Sequence, residues 1–297
     1  MLASDLRKEI WQWRGHSIQY TVSGEGAPVL LIHGFGASLG HWRKNIPVLA
    51  EAGLRVYALD LLGFGGSDKP LLPYELELWR DQIKDFCQEY IQEKTIFVGN
   101  SIGGLLALML LDEYPEISAG GILLNCAGGL NHRPEELNLP LRLMMGGFTN
   151  LISLPLIGKF LFNQIRQKNR IRQTLFQVYC NREAVTDELV EILHEPSSAP
   201  NAQKVFATIL SAPPGPRPQE LLEKLEVPLL VLWGDRDPWT PIRGAKIYQD
   251  NLAIDFATIK GAGHCPHDEN PTEVNQKIIL WLEEKFNLFT SNSAKNR

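Results

Sequence analysis

Four short runs of this chain are apolar almost without interruption: PVLLIHG (28–34), RVYALDL (55–61), TIFVGN (95–100) and GILLNCAG (121–128). A strand with one wet face alternates apolar and polar residues. A run apolar on both sides has to be covered on both faces, as in a parallel sheet between helix layers. QYTVSG (19–24) reads as a further strand ending in a Gly-rich turn. The segments between the runs read as helices. LELWRDQIKDFCQEYIQ (76–92) sets Leu78, Ile83, Phe86 and Tyr90 near one face at the 3.6-residue period. LLALMLL (105–111) reads as a buried core helix, and Pro115 closes the helix that begins after Ser101. Strand–helix alternation of this kind predicts an α/β fold with a mostly parallel central sheet.

The alternation stops near residue 129 and resumes at 228, with PLLVLWGDRD (228–237) as strand then loop, DFATIKG (255–261) as strand and PTEVNQKIILWLEEKF (271–286) as an amphipathic closing helix. The residues between look helical and return through the Pro-rich SAPPGPRP (211–218). The expected organisation is therefore a core in two parts, 1–128 and 221–297, interrupted by a helical cap at 129–220. From Leu137 to Arg182 the cap has no Asp or Glu but seven Lys and Arg, and it opens with the apolar LPLRLMMGGFTNLISLPLIGKFLF (139–162). One reading is a cap whose apolar side covers a site while its basic side faces water. The other is a surface that meets membranes or anionic lipid.

The bulk composition narrows the function classes. At 44% apolar and 21% charged, the 297 residues can bury a substantial core. A net charge of −5 argues against nucleic acid as a partner. Cysteines 87, 126, 180 and 265 form no C-x-x-C pair, so zinc ribbons and thioredoxin-like sites are not expected. MLASDLRKEIWQW lacks the apolar core of a secretory signal, and no run approaches the ~18 apolar residues of a spanning helix. The expected location is the cytoplasm, with contact at the membrane periphery through the cap.

GNSIG (99–103) fits G-x-S-x-G, and here a strand precedes it and a helix follows it. That is the strand–turn–helix elbow that holds a serine, Ser101, in a strained conformation with its hydroxyl exposed. HGFG (33–36) follows a strand and would aim the backbone N–H of Phe35, with that of Ile102, at a developing oxyanion. The glycines of DLLGFGGSD (60–68) suggest a phosphate loop, but no Lys-Ser/Thr pair follows, so the stretch reads as a turn. A serine needs a base, and the base needs an orienting acid. WGDRDPW (233–239) offers Asp235 and Asp237; a G-x-x-D pattern selects Asp237 and leaves Asp235 as the alternative. The base should follow the last strand and precede the last helix. GAGHCPHDEN (261–270) holds His264 there. His264, Cys265, His267 and Asp268 could also be read as metal ligands, but no second ligand pair is evident elsewhere. Cys265 reads as a small buried residue, and His267 and Asp268 as loop anchors. No cofactor and no metal is expected.

With Ser101, Asp237 and His264 in this order, residues 10–286 resemble the α/β-hydrolase superfamily. HGFGAS, HWRKNIPVLA, DLLGFGGSDKP, GNSIGG, WGDRDPW and AGHCPHDENP together are similar to the pheophytinase and chlorophyll-dephytylase group of plants and cyanobacteria. That resemblance implies hydrolysis of the phytyl ester of a chlorophyll-type pigment, a small hydrophobic ester, without a cofactor. Members of that group often have Pro before the AGHCPHDE run, where this chain has Gly261. Rival readings are another carboxylesterase, a carbon–carbon bond hydrolase, or a receptor that keeps the fold. Ser101 excludes the aspartate-nucleophile dehalogenases and epoxide hydrolases, and Ile102 departs from the G-x-S-W-G-G of prolyl aminopeptidases.

Overall fold

In the computed structural model, residues 6–136 and 138–288 are described. Residues 1–5, 137 and 289–297, which the expected domain limits and the acid-free stretch include, lie outside them. Strands β1 (Glu9–Trp13), β2 (His16–Ser23), β3 (Ala27–Ile32) and β4 (Leu54–Leu59), with helix α1 (Ile46–Glu51), form the first quarter of the chain. Helix α2 (Leu76–Phe86), β5 (Thr95–Asn100), α3 (Ile102–Glu113) and β6 (Ser118–Leu124) follow. Helices α4 (Leu139–Ser153), α5 (Pro155–Ile165), α6 (Lys168–Val178), α7 (Asp187–Ser197) and α8 (Ala202–Leu210) make the insert. The core resumes with α9 (Pro218–Leu222), β7 (Leu229–Gly234), α10 (Lys246–Gln249), β8 (Ile254–Ile259), α11 (Pro266–Glu269) and α12 (Pro271–Phe286).

All eight strands join one sheet in the order β1-β2-β4-β3-β5-β6-β7-β8. From β4 to β8 every pairing is parallel; β1 and β2 add an antiparallel edge. Strands β3, β5 and β7 are buried almost throughout because apolar clusters lie on both faces. One cluster takes the inner residues of α2 and α3, including Trp79, Phe86 and Leu108. The other takes α1 and α12 through Leu49, Ile278 and Trp281.

The strand expected at 95–100 is reproduced residue for residue, and α3 ends just before Pro115 as expected. Two details go beyond the sequence reading. The buried face of α2 is Leu76, Trp79, Gln82, Ile83 and Phe86; Leu78 packs half-buried at its margin, and Tyr90, in the π turn Cys87–Ile91, is 42% exposed yet stacks on Phe86 (5.2 Å) and meets Trp11 and Tyr20 edge-on. Strand β1 was not anticipated: EIWQW alternates, with Trp11 and Trp13 inward, as an edge strand does.

Candidate active site

The site sits at the carboxyl ends of β5, β7 and β8. Ser101 follows β5 directly, with φ 56° and ψ −119°, a conformation L-residues rarely hold. The glycines around it are needed for space. A Cβ on Gly99 would stand 2.1 Å from the Gly103 carbonyl oxygen, and one on Gly103 2.2 Å from that of Ile32. The chain can thus reverse into α3 with Ser101 at its tip. Ile102 is the first residue of α3, so its N–H is among the donors that the helix itself leaves without an acceptor. On the other side, Gly34 packs so closely that a Cβ there would be 3.2 Å from that of Ser101, and Phe35 follows it. His33 fixes this loop: its Nδ1 donates to the Gly34 carbonyl (2.8 Å) and its Nε2 accepts from the Leu61 N–H (3.0 Å). That pattern requires a neutral ring, and burial lowers the His33 pKa accordingly.

Asp237, on the loop after β7, accepts from His264 Nδ1 at 2.6 Å through Oδ2. Asn125 Nδ2 (2.7 Å) and the Thr240 hydroxyl donate to the same oxygen, while the N–H groups of Trp239 (2.7 Å) and Thr240 (3.0 Å) donate to Oδ1. Burial pushes this carboxyl up, but the bonds from His264 and Thr240 outweigh it and hold the pKa below the ordinary value. Asp235 instead accepts from the Gly261 N–H at 2.7 Å. Of the two acids, geometry therefore gives Asp237 to the histidine. With Nδ1 so engaged, Nε2 of His264 is left for the cavity, which Ser101 and His264 both line.

The rest of the GAGHCPHDEN loop diverges to separate partners. The His267 ring lies 4.2 Å from that of Trp42 and 4.7 Å from that of His41. Asp268 pairs with Arg43 (3.0 Å) and Lys44 (2.9 Å). Cys265 is buried and packs among residues of α6 and α7, and burial pushes its thiol well up. Glu269, which no sequence motif marks, accepts through one oxygen from Gly263 (2.9 Å) and Cys265 (3.3 Å) and through the other from Cys180 (2.7 Å) and Asn181 (3.1 Å). It clamps the His264 loop to the segment after α6. The His264 N–H itself donates to the Val178 carbonyl (3.1 Å). Asn100 and Asn125 were also missed: Asn100 Nδ2 donates to the His264 carbonyl (2.9 Å), and Asn125 Oδ1 accepts from Gly234 (2.9 Å).

Over Ser101 the insert and core together line a half-open, mainly apolar cavity of about 250 Å³. A chain of rings crosses the boundary, Phe64 to Phe35 (5.8 Å), Phe35 to Phe206 (5.6 Å) and Phe206 to Phe162 (5.4 Å). A wider cleft of about 940 Å³, with Lys8, Asp68 and Glu191 among its lining, adjoins it and shares Gly65, Lys69 and Pro196.

Known proteins show how far this arrangement is shared. Chloroplastic pheophytinase of Arabidopsis thaliana is 29% identical over 86% of this chain, and the chain spans 61% of that protein's length. Among solved structures, a meta-cleavage product hydrolase from Pseudomonas fluorescens superposes with TM-score 0.73 at 26% identity, covering 93% of this chain and 97% of that one. A thermophilic esterase from Thermogutta terrifontis superposes with TM-score 0.74 at 23% identity, covering 94% and 98%. These relatives differ in what they act on and agree in architecture. The model of the alpha/beta hydrolase fold matches residues 27–271, from the start of β3 into α12, and this chain belongs to that family.

Proposed function

We propose that the protein is a serine-nucleophile hydrolase of hydrophobic carboxylic esters, acting on the phytyl ester of a chlorophyll-type pigment. The observation that carries the reading is the Ser101 elbow beside the Asp237–His264 pair, opening into an apolar slot shared by core and insert. In this mechanism His264 Nε2 takes the proton of Ser101 Oγ as that oxygen attacks the ester carbonyl. Asp237 keeps Nδ1 protonated and stabilises the imidazolium without taking its proton. The N–H groups of Phe35 and Ile102 receive the charge on the carbonyl oxygen. Collapse of the intermediate passes the proton from His264 to the leaving alcohol. Water, deprotonated by the same nitrogen, then releases the acid from Ser101.

The cavity favours an aliphatic tail. Each buried methylene contributes ~0.8 kcal/mol. At about 250 Å³ the slot is small, so the bulky ring system would occupy the adjoining cleft. Similarity to pheophytinase supports the pigment ester. The test is a substrate panel run beside active-site labelling. A fluorophosphonate probe labels the wild type and not Ser101→Ala; equal labelling of both removes Ser101 as the nucleophile. Pheophytin releases phytol, and acetate esters of n-alkanols gain up to about fourfold in kcat/KM per methylene added to the alcohol until the slot is filled. Cleavage of short esters alone would leave an esterase and discard the pigment. Cleavage of a ring-fission product alone would favour the carbon–carbon reading.

A further inference from the structure

Helices α4 and α5 turn a broad apolar surface outward. On α4, Leu139 and Leu143 are exposed on the side away from buried Ile152, and Leu151 on its flank is exposed too; on α5, Leu156, Ile157 and Phe160 lie opposite buried Gly158 and Phe162. Leu156 is 85% exposed, Leu139 and Leu143 67% each, and Phe160 63%. Single exposed leucines are ordinary, but a contiguous group marks a contact surface. The inner face is held in place. Ile152 and Phe162 pack with Ala202 and Ala207 of α8, and a Cβ on Gly158 would stand 1.9 Å from the Ile152 carbonyl oxygen. Gln203 donates to that same oxygen at 3.0 Å. The outward residues therefore cannot turn inward without opening this cluster.

Charge and shape select the occupant. Among the described residues no single helix is long and apolar enough to cross a membrane, and the axes of α4 and α5 differ by 109°. Taken together the bent pair has the length and composition of a broken span, but with one side packed on α8 it is placed to lie along a bilayer rather than through it. Arg142 on α4 and Lys159 on α5 are exposed and have no acidic partner among the described residues, whereas Lys168 and Arg172 are paired with Glu191 and Asp187. A second copy docked face to face would set these cations against themselves; an anionic lipid surface complements them. The patch also runs into the cavity: Ile165 at the end of α5 is 39% exposed and lines the cavity, as does Phe162.

We propose that the α4–α5 surface docks on an anionic lipid bilayer and passes the ester from the bilayer, along α5, into the cavity over Ser101. The delivery step rests on the hydrolase reading above; the docking step does not. The test floats the 297-residue chain on a sucrose gradient with phosphatidylcholine vesicles, with and without phosphatidylglycerol. The wild type rises with the anionic vesicles, less with phosphatidylcholine alone, and less as salt is added. Arg142→Ala and Lys159→Ala each weaken partition about fivefold, and Leu156→Asp with Phe160→Asp abolishes it. Unchanged turnover of a water-soluble short ester shows that these variants are folded. If the wild type cleaves no ester, the hydrolase reading falls by itself; an unchanged melting temperature then serves as the folding control, and flotation still decides docking. A wild type that stays down with both vesicle types overturns the proposal. So do variants that float like the wild type, or a concentration-dependent dimer that buries the patch and ignores vesicles.

Discussion

Asp237 takes five donors on two oxygens, and Glu269 takes four backbone N–H groups on two. The first was legible in the sequence and the second was not. Ser101, Asp237 and His264 could be proposed from the sequence because a nucleophile, an acid and a base of this kind would follow strands in a fixed order, and the structure brings Asp237 onto His264. Glu269, Asn100 and Asn125 bond to backbone groups brought in from distant parts of the chain, and nothing about a lone carboxylate or amide announces that. The two acids of WGDRDPW now separate by experiment. Asp237→Asn lowers kcat by about 10⁴-fold through the wrong histidine tautomer, whereas Asp235→Asn stays within a few-fold; equal losses would mean that the histidine does not depend on Asp237 in particular. Glu269→Gln replaces an acceptor oxygen by an N–H₂ facing donors, at about 1–3 kcal/mol of stability. Thermal melts and kcat are expected to fall together in this variant, and a variant matching the wild type in both would show that the clamp carries no strain.

At the scale of elements, apolar runs located the parallel strands because burial on both faces leaves no room for polar residues. The insert was legible as helical but its packing was not, since that depends on which face each helix turns to α8. The turn after β8 shows the same limit. Gly261 stands at φ +70° and donates to Asp235, so a proline there could neither adopt the angle nor make the bond. This chain closes that turn in a way that the Pro-containing pattern does not allow. Gly261→Pro is expected to cost more than ~1 kcal/mol, read as a lower urea midpoint at unchanged slope; an unshifted midpoint would mean that the turn can take another form.

At the scale of the molecule, core and insert meet through a buried polar chain. Tyr179, just after α6, donates to Asp268 (3.1 Å) and accepts from His41 Nε2 (2.7 Å). Burial lowers the His41 pKa to about 4. Between the ordinary value near 6.5 and about 4, the unfolded chain binds a proton that the folded chain refuses, so this group lowers stability as pH falls. His41→Gln should flatten the fall in unfolding free energy across that window by up to ~1.4 kcal/mol per pH unit. Glu269, whose pKa burial raises, acts in the opposite direction, so the comparison has to be a difference between variant and wild type. Parallel slopes would place the titration elsewhere. The insert between β6 and β7 also sets a schedule. Ser101 is made before it, and His264 about 160 residues later. At ~5–20 residues per second of synthesis, the serine leaves the ribosome roughly 10–30 s ahead of its proposed base. On the proposed mechanism the growing chain therefore carries Ser101 without its base for more than half of its synthesis, and the site is completed only when nearly all the protein that shields it already exists.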